Sequence, residues 1–315
     1  MSYIIPSGIA FLIAITLAPF AIPVLRRLKF GQEIREEGPK WHASKSGTPT
    51  MGGIIFIIGI IISGIIFLRD DFKGIMLIYL SVAFGAVGFF DDYIKVVQKR
   101  NLGLTAIQKL LMQTAASVIF VYLLYINGML PTVLKIPFTS ISWNMGLWYL
   151  PFVVIFIIGM VNAVNLTDGI DGLASSVTII VCLFFAVFSK MIGNDSSSIF
   201  SAIIAGGAAG FLIFNKYPAK IFMGDTGSLF LGGCLAGIAV ADGLALFLVI
   251  AGGIYILETI SVIIQVTSFK LTGKRVFKMS PIHHHFEMCG WSENKIDTIF
   301  SFITIVLCVL AYIGR

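Results

Sequence analysis

Long apolar runs alternate with short polar segments from one end of the chain to the other. A membrane-spanning helix needs roughly 20 mainly apolar residues. About ten runs approach that length, at approximately 3–25, 52–68, 74–90, 110–126, 148–164, 172–189, 199–214, 227–241, 244–268 and 296–313. Backbone groups inside hydrocarbon must bond within their own segment, and the short alternating segments of a membrane β-barrel are missing. The pattern therefore predicts an all-α integral membrane protein of about ten transmembrane helices, organised as one polytopic domain over residues 1–315. The run 227–241 is short and Gly-rich. The run 244–268 is long and carries Glu258, which predicts a broken or strongly tilted helix.

Composition reinforces this class. The chain is 57% hydrophobic and 12% charged, with mean hydropathy +0.96, whereas soluble domains are about 25% charged. The basic residues give an orientation. With the N-terminus outside, 17 of the 22 lysines and arginines fall in cytoplasmic segments, among them Arg26, Arg27, Lys45, Lys95 and Lys109. Both termini are then outside. The net charge of +6 fits topology and anionic headgroups as well as attraction of phosphorylated substrates. Cys182, Cys234 and Cys308 lie in apolar runs and Cys289 in a polar segment, with no metal-binding spacing or evident partner.

The polar segments carry the candidate chemistry. Asp91-Asp92 closes the third run, where the helix dipole prefers cations. The pair is either a solvated helix end or a carboxylate pair for a divalent cation. Asn165-Leu-Thr-Asp-Gly-Ile-Asp-Gly-Leu-Ala174 sits between two runs. There Asp168 and Asp171 are candidate caps for the sixth helix, and the flanking glycines would allow close approach of a ligand. Thr48 or Thr50 is a candidate cap for the second helix, and Lys45 just before them is a candidate anion contact. Asp225 in Gly224-Asp-Thr-Gly-Ser228 is a candidate cap or ligand. Phe222 is a candidate interface anchor or base-stacking ring. Three adjacent histidines, His283, His284 and His285, occupy a loop as candidate hydrogen-bond donors to phosphate or, less simply, metal ligands. Glu258 is the one acid expected within a span. By the charge count all these acids except Glu258 share the cytoplasmic face.

In this order, Pro49-Thr-Met-Gly-Gly53, Asp91-Asp92, Asn165–Ala174 and Gly224–Ser228 resemble the polyprenyl-phosphate N-acetylhexosamine-1-phosphate transferase superfamily. Pro281-Ile-His-His-His-Phe-Glu287 is similar to its muramoyl-pentapeptide branch. The resemblance covers essentially the whole chain. It implies ten spans, both termini outside, and an active site in a cytoplasmic-face cleft of the bacterial inner membrane. It implies transfer of phospho-N-acetylmuramoyl-pentapeptide from UDP-MurNAc-pentapeptide to undecaprenyl phosphate, with release of UMP and with Mg²⁺ as cofactor. It further implies a homodimer surrounded by membrane lipids, with no nucleic-acid partner. Residue by residue, Asp225 matches the Mg²⁺ ligand and Asp91 and Asp92 the catalytic pair. Asn165, Asp168, Asp171, Asn215, Phe222 and Gly224 match the nucleoside end of the cleft. His284, with His283 and His285, matches the phosphate and sugar side, and Lys45, Lys95 and Lys109 match basic positions.

The chemistry suits these residues. Two anionic substrates must meet, so positioning and charge neutralisation dominate phosphoryl transfer. Mg²⁺ favours one or two carboxylates and keeps water and phosphate oxygens. A phosphate monoester has its second pKa near neutrality, so one-step attack with Asp91 as base is expected over a covalent aspartyl intermediate. Glu258 is expected to help bend the ninth span and open a groove for the lipid. The rival readings are a sister enzyme using UDP-GlcNAc and, from another class, a transporter.

Overall fold

The computed structural model describes residues 3–27, 45, 47–97 and 103–315. Among them the apolar runs fold as α1 (Ile4–Arg27), α2 (Gly53–Leu68), α3 (Phe72–Val97), α4 (Ala106–Ile126), α5 (Tyr149–Thr167), α6 (Leu173–Met191), α7 (Asp195–Asn215), α8 (Gly224–Ala241), α9 (Ala245–Ala251), α10 (Gly253–Thr272), α11 (Ile282–Glu287) and α12 (Glu293–Ile313). Nine of these helices are long and apolar enough to cross a membrane, and Gly53–Leu68 is a shorter apolar one. Lys29, Arg35, Lys40, Lys99 and Arg100, which entered the charge count, lie outside the described residues.

The Gly-rich run that looked weakest becomes the centre. Helix α8 has 89% of its apolar window buried inside the protein and packs against α3, α5 and α2. Its small residues let neighbouring backbones close in, as is usual where helices meet inside a membrane. A Cβ built at Gly232 would stand 2.6 Å from the Cα of Val161 on α5. Low hydropathy is no handicap for a helix that meets protein rather than lipid.

The long run near the C-terminus is indeed broken, at Gly252 between α9 and α10. Glu258 has a partner inside the protein. It is fully buried on α10, where its carboxylate stands 3.1 Å from His283 Nδ1 and accepts the His283 backbone N–H at 3.4 Å. A carboxylate is expensive in an apolar surround unless it finds such partners. Glu258 therefore ties α11 to the bundle. The three histidines consequently lie on a short helix and not on a loop.

Two expected caps are also replaced. Helix α2 begins after Gly52 without a side-chain cap. The N–H groups of Gly52 and Gly53 instead donate to the carbonyls of Phe222 and Met223, at 2.8 and 3.0 Å, and the Phe222 N–H donates to Pro49 at 2.9 Å. The Pro49–Gly53 segment thus runs alongside the approach to α8. Helix α6 is entered through Gly172 at φ +83°, a left-handed conformation that glycine accepts without strain. Asp168 ends α5 and caps nothing on α6.

The opposite end of the bundle is held by Asp242, just beyond α8. It is buried and accepts hydrogen bonds from Ser189 of α6 at 2.6 Å and Ser197 of α7 at 2.7 Å, with Lys73 of α3 at 3.9 Å. Between α4 and α5, residues Val133–Lys135 (β1) and Ser142–Asn144 (β2) form an antiparallel hairpin. Trp143 and Trp148 beside it are exposed, as expected for interfacial anchors.

Candidate active site

The last turns of α3 and the first turn of α8 bring the acids together. Asp91, Asp92 and Asp225 each offer a carboxylate oxygen within 4.8 Å of the others. Helix α3 continues past Asp91-Asp92 to Val97, so the pair points from a helix flank and not from a frayed end. The helices approach closely because Gly88, one turn before Asp92, lies directly against the Asp225 backbone.

Asp225 is the hub. Its Oδ2 receives Lys95 Nζ from α3 and Lys109 Nζ from α4, both at 3.0 Å, and its Oδ1 receives Asn165 Nδ2 from α5 at 2.8 Å. The Asn165 amide also donates to Ser228 Oγ at 2.8 Å. Four helices therefore fix one carboxylate. Asp91 is paired with Lys95 at 2.5 Å and accepts the Leu104 N–H at 3.0 Å. Asp92 turns the other way: it accepts the backbone N–H of Asp225 at 3.2 Å and both the N–H and hydroxyl of Thr226, at 2.9 and 2.7 Å.

A second group walls this centre. Lys45 Nζ reaches Asp171 Oδ1 and Glu293 Oε2, each at 2.6 Å. Asp171 also accepts the Ala219 N–H at 2.8 Å, and its own N–H donates to Glu293 at 2.9 Å. Burial opposes the Lys45 charge, but the hydrogen bonds it donates to Asp171 and Glu293, with the charges of both acids, outweigh it and hold the amine above its ordinary pKa. Phe222 lies 6.0 Å from the same ammonium. Half-buried Asp168 sits within the field of this acidic group. Burial first, then the charges of Asp225, Asp92 and Asp171, push its carboxyl well above the usual range.

The histidine helix closes one edge. His283 is buried and its ring packs on Gly169, where a Cβ would stand 2.2 Å from Nε2. Gly169 is thus needed for close packing within the protein. His284 Nδ1 lies 2.5 Å from Glu287, and His285 Nδ1 accepts the Lys278 N–H at 3.1 Å. Asn215 looks inward: it is buried, accepts from Ser175 Oγ at 3.1 Å and donates to the Ile221 carbonyl at 3.0 Å. It shapes the segment that carries Phe222. Gly224, at φ +70°, has no room for a side chain between Asp92 and Thr50.

Sequence reasoning missed Glu293, Thr226 and Gly88. Glu293 follows Ser292, which caps α12 by accepting the Lys295 N–H, and in sequence it reads only as a first-turn acid. Thr226 and Gly88 acquire meaning only once α3 and α8 are placed side by side.

The donor set suits a hard divalent cation: carboxylate oxygens with no sulfur or nitrogen ligand in the cluster. Within the cluster Asp92 is engaged by the start of α8, whereas Asp91 and Asp225 are engaged by the side chains of Lys95, Lys109 and Asn165 and by the Leu104 N–H. Adjacent ammonium groups add complementarity to phosphate.

The all-α membrane bundle gathers acids, lysines and histidines at one end, and the matches that follow make it an integral membrane transferase of the phosphoglycosyl type. The glycosyl transferase family 4 model matches residues 74–243, and signature 1 of the phospho-N-acetylmuramoyl-pentapeptide-transferases matches residues 45–57. The chain is 52% identical to a phospho-N-acetylmuramoyl-pentapeptide-transferase of Clostridium botulinum (strain Eklund 17B), over 98% of this chain and 94% of that one. It is 52% identical to the same-named protein of Clostridium beijerinckii, over 98% and 95%, and 50% identical to that of Clostridium perfringens (strain 13), over 96% of each. The chain belongs to the phospho-N-acetylmuramoyl-pentapeptide-transferase family.

Proposed function

We propose that the protein transfers phospho-N-acetylmuramoyl-pentapeptide from UDP-MurNAc-pentapeptide to undecaprenyl phosphate, forming lipid I and UMP for peptidoglycan synthesis. The observation that carries this reading is the Asp225 carboxylate, held by Lys95, Lys109 and Asn165 beside Asp91. Two lysines on one carboxylate form a charge relay that a pyrophosphate can enter, its oxygens replacing carboxylate oxygens as partners of the ammonium groups. Asp91 takes the last proton of the lipid phosphate, whose second pKa lies near 6. Asp171, Phe222 and Lys45 receive the uridine end, with Asp168 behind them, and the histidine helix stands on the sugar and phosphate side. Bound Mg²⁺, held by Asp225 and Asp91, would supply neutralisation of the pyrophosphate and the departing UMP.

The site lies at the cytoplasmic face of the inner membrane in this reading, with both chain ends outside. A polyprenyl acceptor cannot leave the bilayer, which accounts for building the site at a helix-bundle end. The protein acts as a homodimer. The decisive experiment gives purified protein undecaprenyl phosphate with either UDP-MurNAc-pentapeptide or UDP-GlcNAc, in Mg²⁺ or EDTA, and follows UMP. Release is expected with the muramoyl nucleotide and Mg²⁺ alone; release with UDP-GlcNAc alone would assign the sister reaction, and turnover in EDTA would remove the metal.

Glu293 provides a separate test. Glu293→Gln gives the Asp171 N–H a neutral partner and leaves Lys45 with Asp171 as its one carboxylate partner among the described residues. Hydrogen bonds to charged groups are worth about 1.5–3 kcal/mol, so the KM for the uridine nucleotide is expected to rise about tenfold. Steady-state kinetics that place the loss in kcat would contradict a role at the nucleotide end.

A further inference from the structure

The two adjacent aspartates of α3 look equivalent in sequence, yet their oxygens meet different partners. Helix α8 starts at Gly224, and its flanking residue Met223 provides no side-chain cap. The first N–H groups of a helix lack intrahelical partners, and a cap side chain normally serves the second or third helical residue. In α8 these are Asp225 and Thr226. Their N–H groups are the ones that donate to Asp92, with the Thr226 hydroxyl as a third donor. Asp92 is nearly fully buried. Gly224 leaves the space it needs, since a Cβ there would come within 2.5 Å of Asp92 Oδ2.

We propose that Asp92 is a positioning residue, a cap supplied to α8 by α3, which sets the direction of Asp225 while Asp91 alone of the pair meets the reacting phosphate. The cap explains why a carboxylate follows directly after Asp91. Successive helix positions are about 100° apart, so one acid faces the site while the next turns into the neighbouring helix. It also explains why Asp225 can be the hub. Its backbone is held from one side by Asp92, and its side chain is held from the other by Asn165 and the lysines. The cap stands on geometry alone; its effect on metal affinity and rate rests on the function proposed above.

The test compares wild type with Asp92→Asn, Thr226→Val and Asp91→Asn. Hydrogen exchange is followed in a peptide spanning 222–230, Mn²⁺ binding by the resonance of the free ion, and UMP release across a Mg²⁺ titration. Asp92→Asn is expected to speed exchange at the start of α8 and to weaken Mn²⁺ binding about tenfold, the scale for partners that orient a ligand. Its rate should largely recover at saturating Mg²⁺. Thr226→Val keeps both aspartates and should shift exchange and binding the same way by less. Asp91→Asn should leave exchange unaltered and lose rate at every Mg²⁺ concentration. Unaltered exchange in both Asp92→Asn and Thr226→Val would overturn the cap. A hundredfold rate loss in Asp92→Asn that ignores Mg²⁺, with Mn²⁺ binding intact, would overturn the assignment of Asp92 as a positioning residue. If Asp92→Asn does not fold, Thr226→Val decides on exchange alone. Should wild type bind no Mn²⁺, the metal reading fails, while the exchange comparison still judges the cap.

Discussion

Asp225→Asn is expected to lower UMP release about a thousandfold at saturating substrates, roughly 4 kcal/mol of transition-state stabilisation. The substitution barely changes shape, so the loss would be electrostatic. An amide oxygen can still accept from Asn165, but it cannot balance the ammonium groups of Lys95 and Lys109, both 3.0 Å from Oδ2. Lys95 keeps Asp91 as a partner, whereas among the described residues Lys109 loses its one carboxylate partner. The charge that positions both cations for an incoming pyrophosphate disappears, together with the main carboxylate of the metal site. Rates measured across Mg²⁺ concentrations separate the two contributions. A loss repaired by excess Mg²⁺ reflects ion affinity, and a loss that persists reflects the lysine arrangement. A variant within tenfold of wild type throughout would remove Asp225 from the centre of the site.

The spans and the helical class were legible because lipid imposes a long, simple period on sequence. Even the break in the long ninth run was visible, since an apolar stretch holding an acid has few ways to cross. The misplaced caps lie at junctions. Thr50, Asp168 and Asp225 have the right chemistry and position to cap helices, and local reasoning makes them candidates for that task. In the fold, carbonyls of residues 222 and 223, Gly172 and Asp92 do these jobs from elsewhere. A cap delivered across two helices leaves no local signature. Glu258 follows a related rule. A mid-span acid has to find a partner, but its sequence gives no address, and the partner proves to be His283 on a separate short helix. The structure brings Asp91, Asp92, Asn165 and Asp225 together, and each comes from a short cluster of polar residues between apolar runs. Which member faces substrate and which faces protein is decided by helix phase and by glycine contacts that only packing reveals.

Those contacts make the second large prediction. Gly88→Ala is expected to reduce turnover at least about a hundredfold, because a shift of about 1 Å at a reacting group has effects of that order. A Cβ at Gly88 would stand 2.1 Å from the Asp225 carbonyl oxygen, 2.4 Å from its carbon and 2.7 Å from Thr226 N. All three are backbone atoms at the start of α8, so no rotamer change relieves the clash. The helices must part where Asp92 caps Asp225 and where Lys95, two turns along α3, reaches it. Overpacking of this kind costs about 1–3 kcal/mol, enough to lower the melting temperature in detergent without unfolding the bundle. Gly85→Ala is the matched control. It lies one turn earlier, and its added methyl would meet only the Phe230 ring, at 3.0 Å. A ring can tilt where a backbone cannot, so this variant should stay within a few fold of wild type. If Gly88→Ala matched Gly85→Ala in rate, the spacing of α3 and α8 would not control Asp225. A loss confined to Gly88→Ala would tie the chemistry to one missing methyl group.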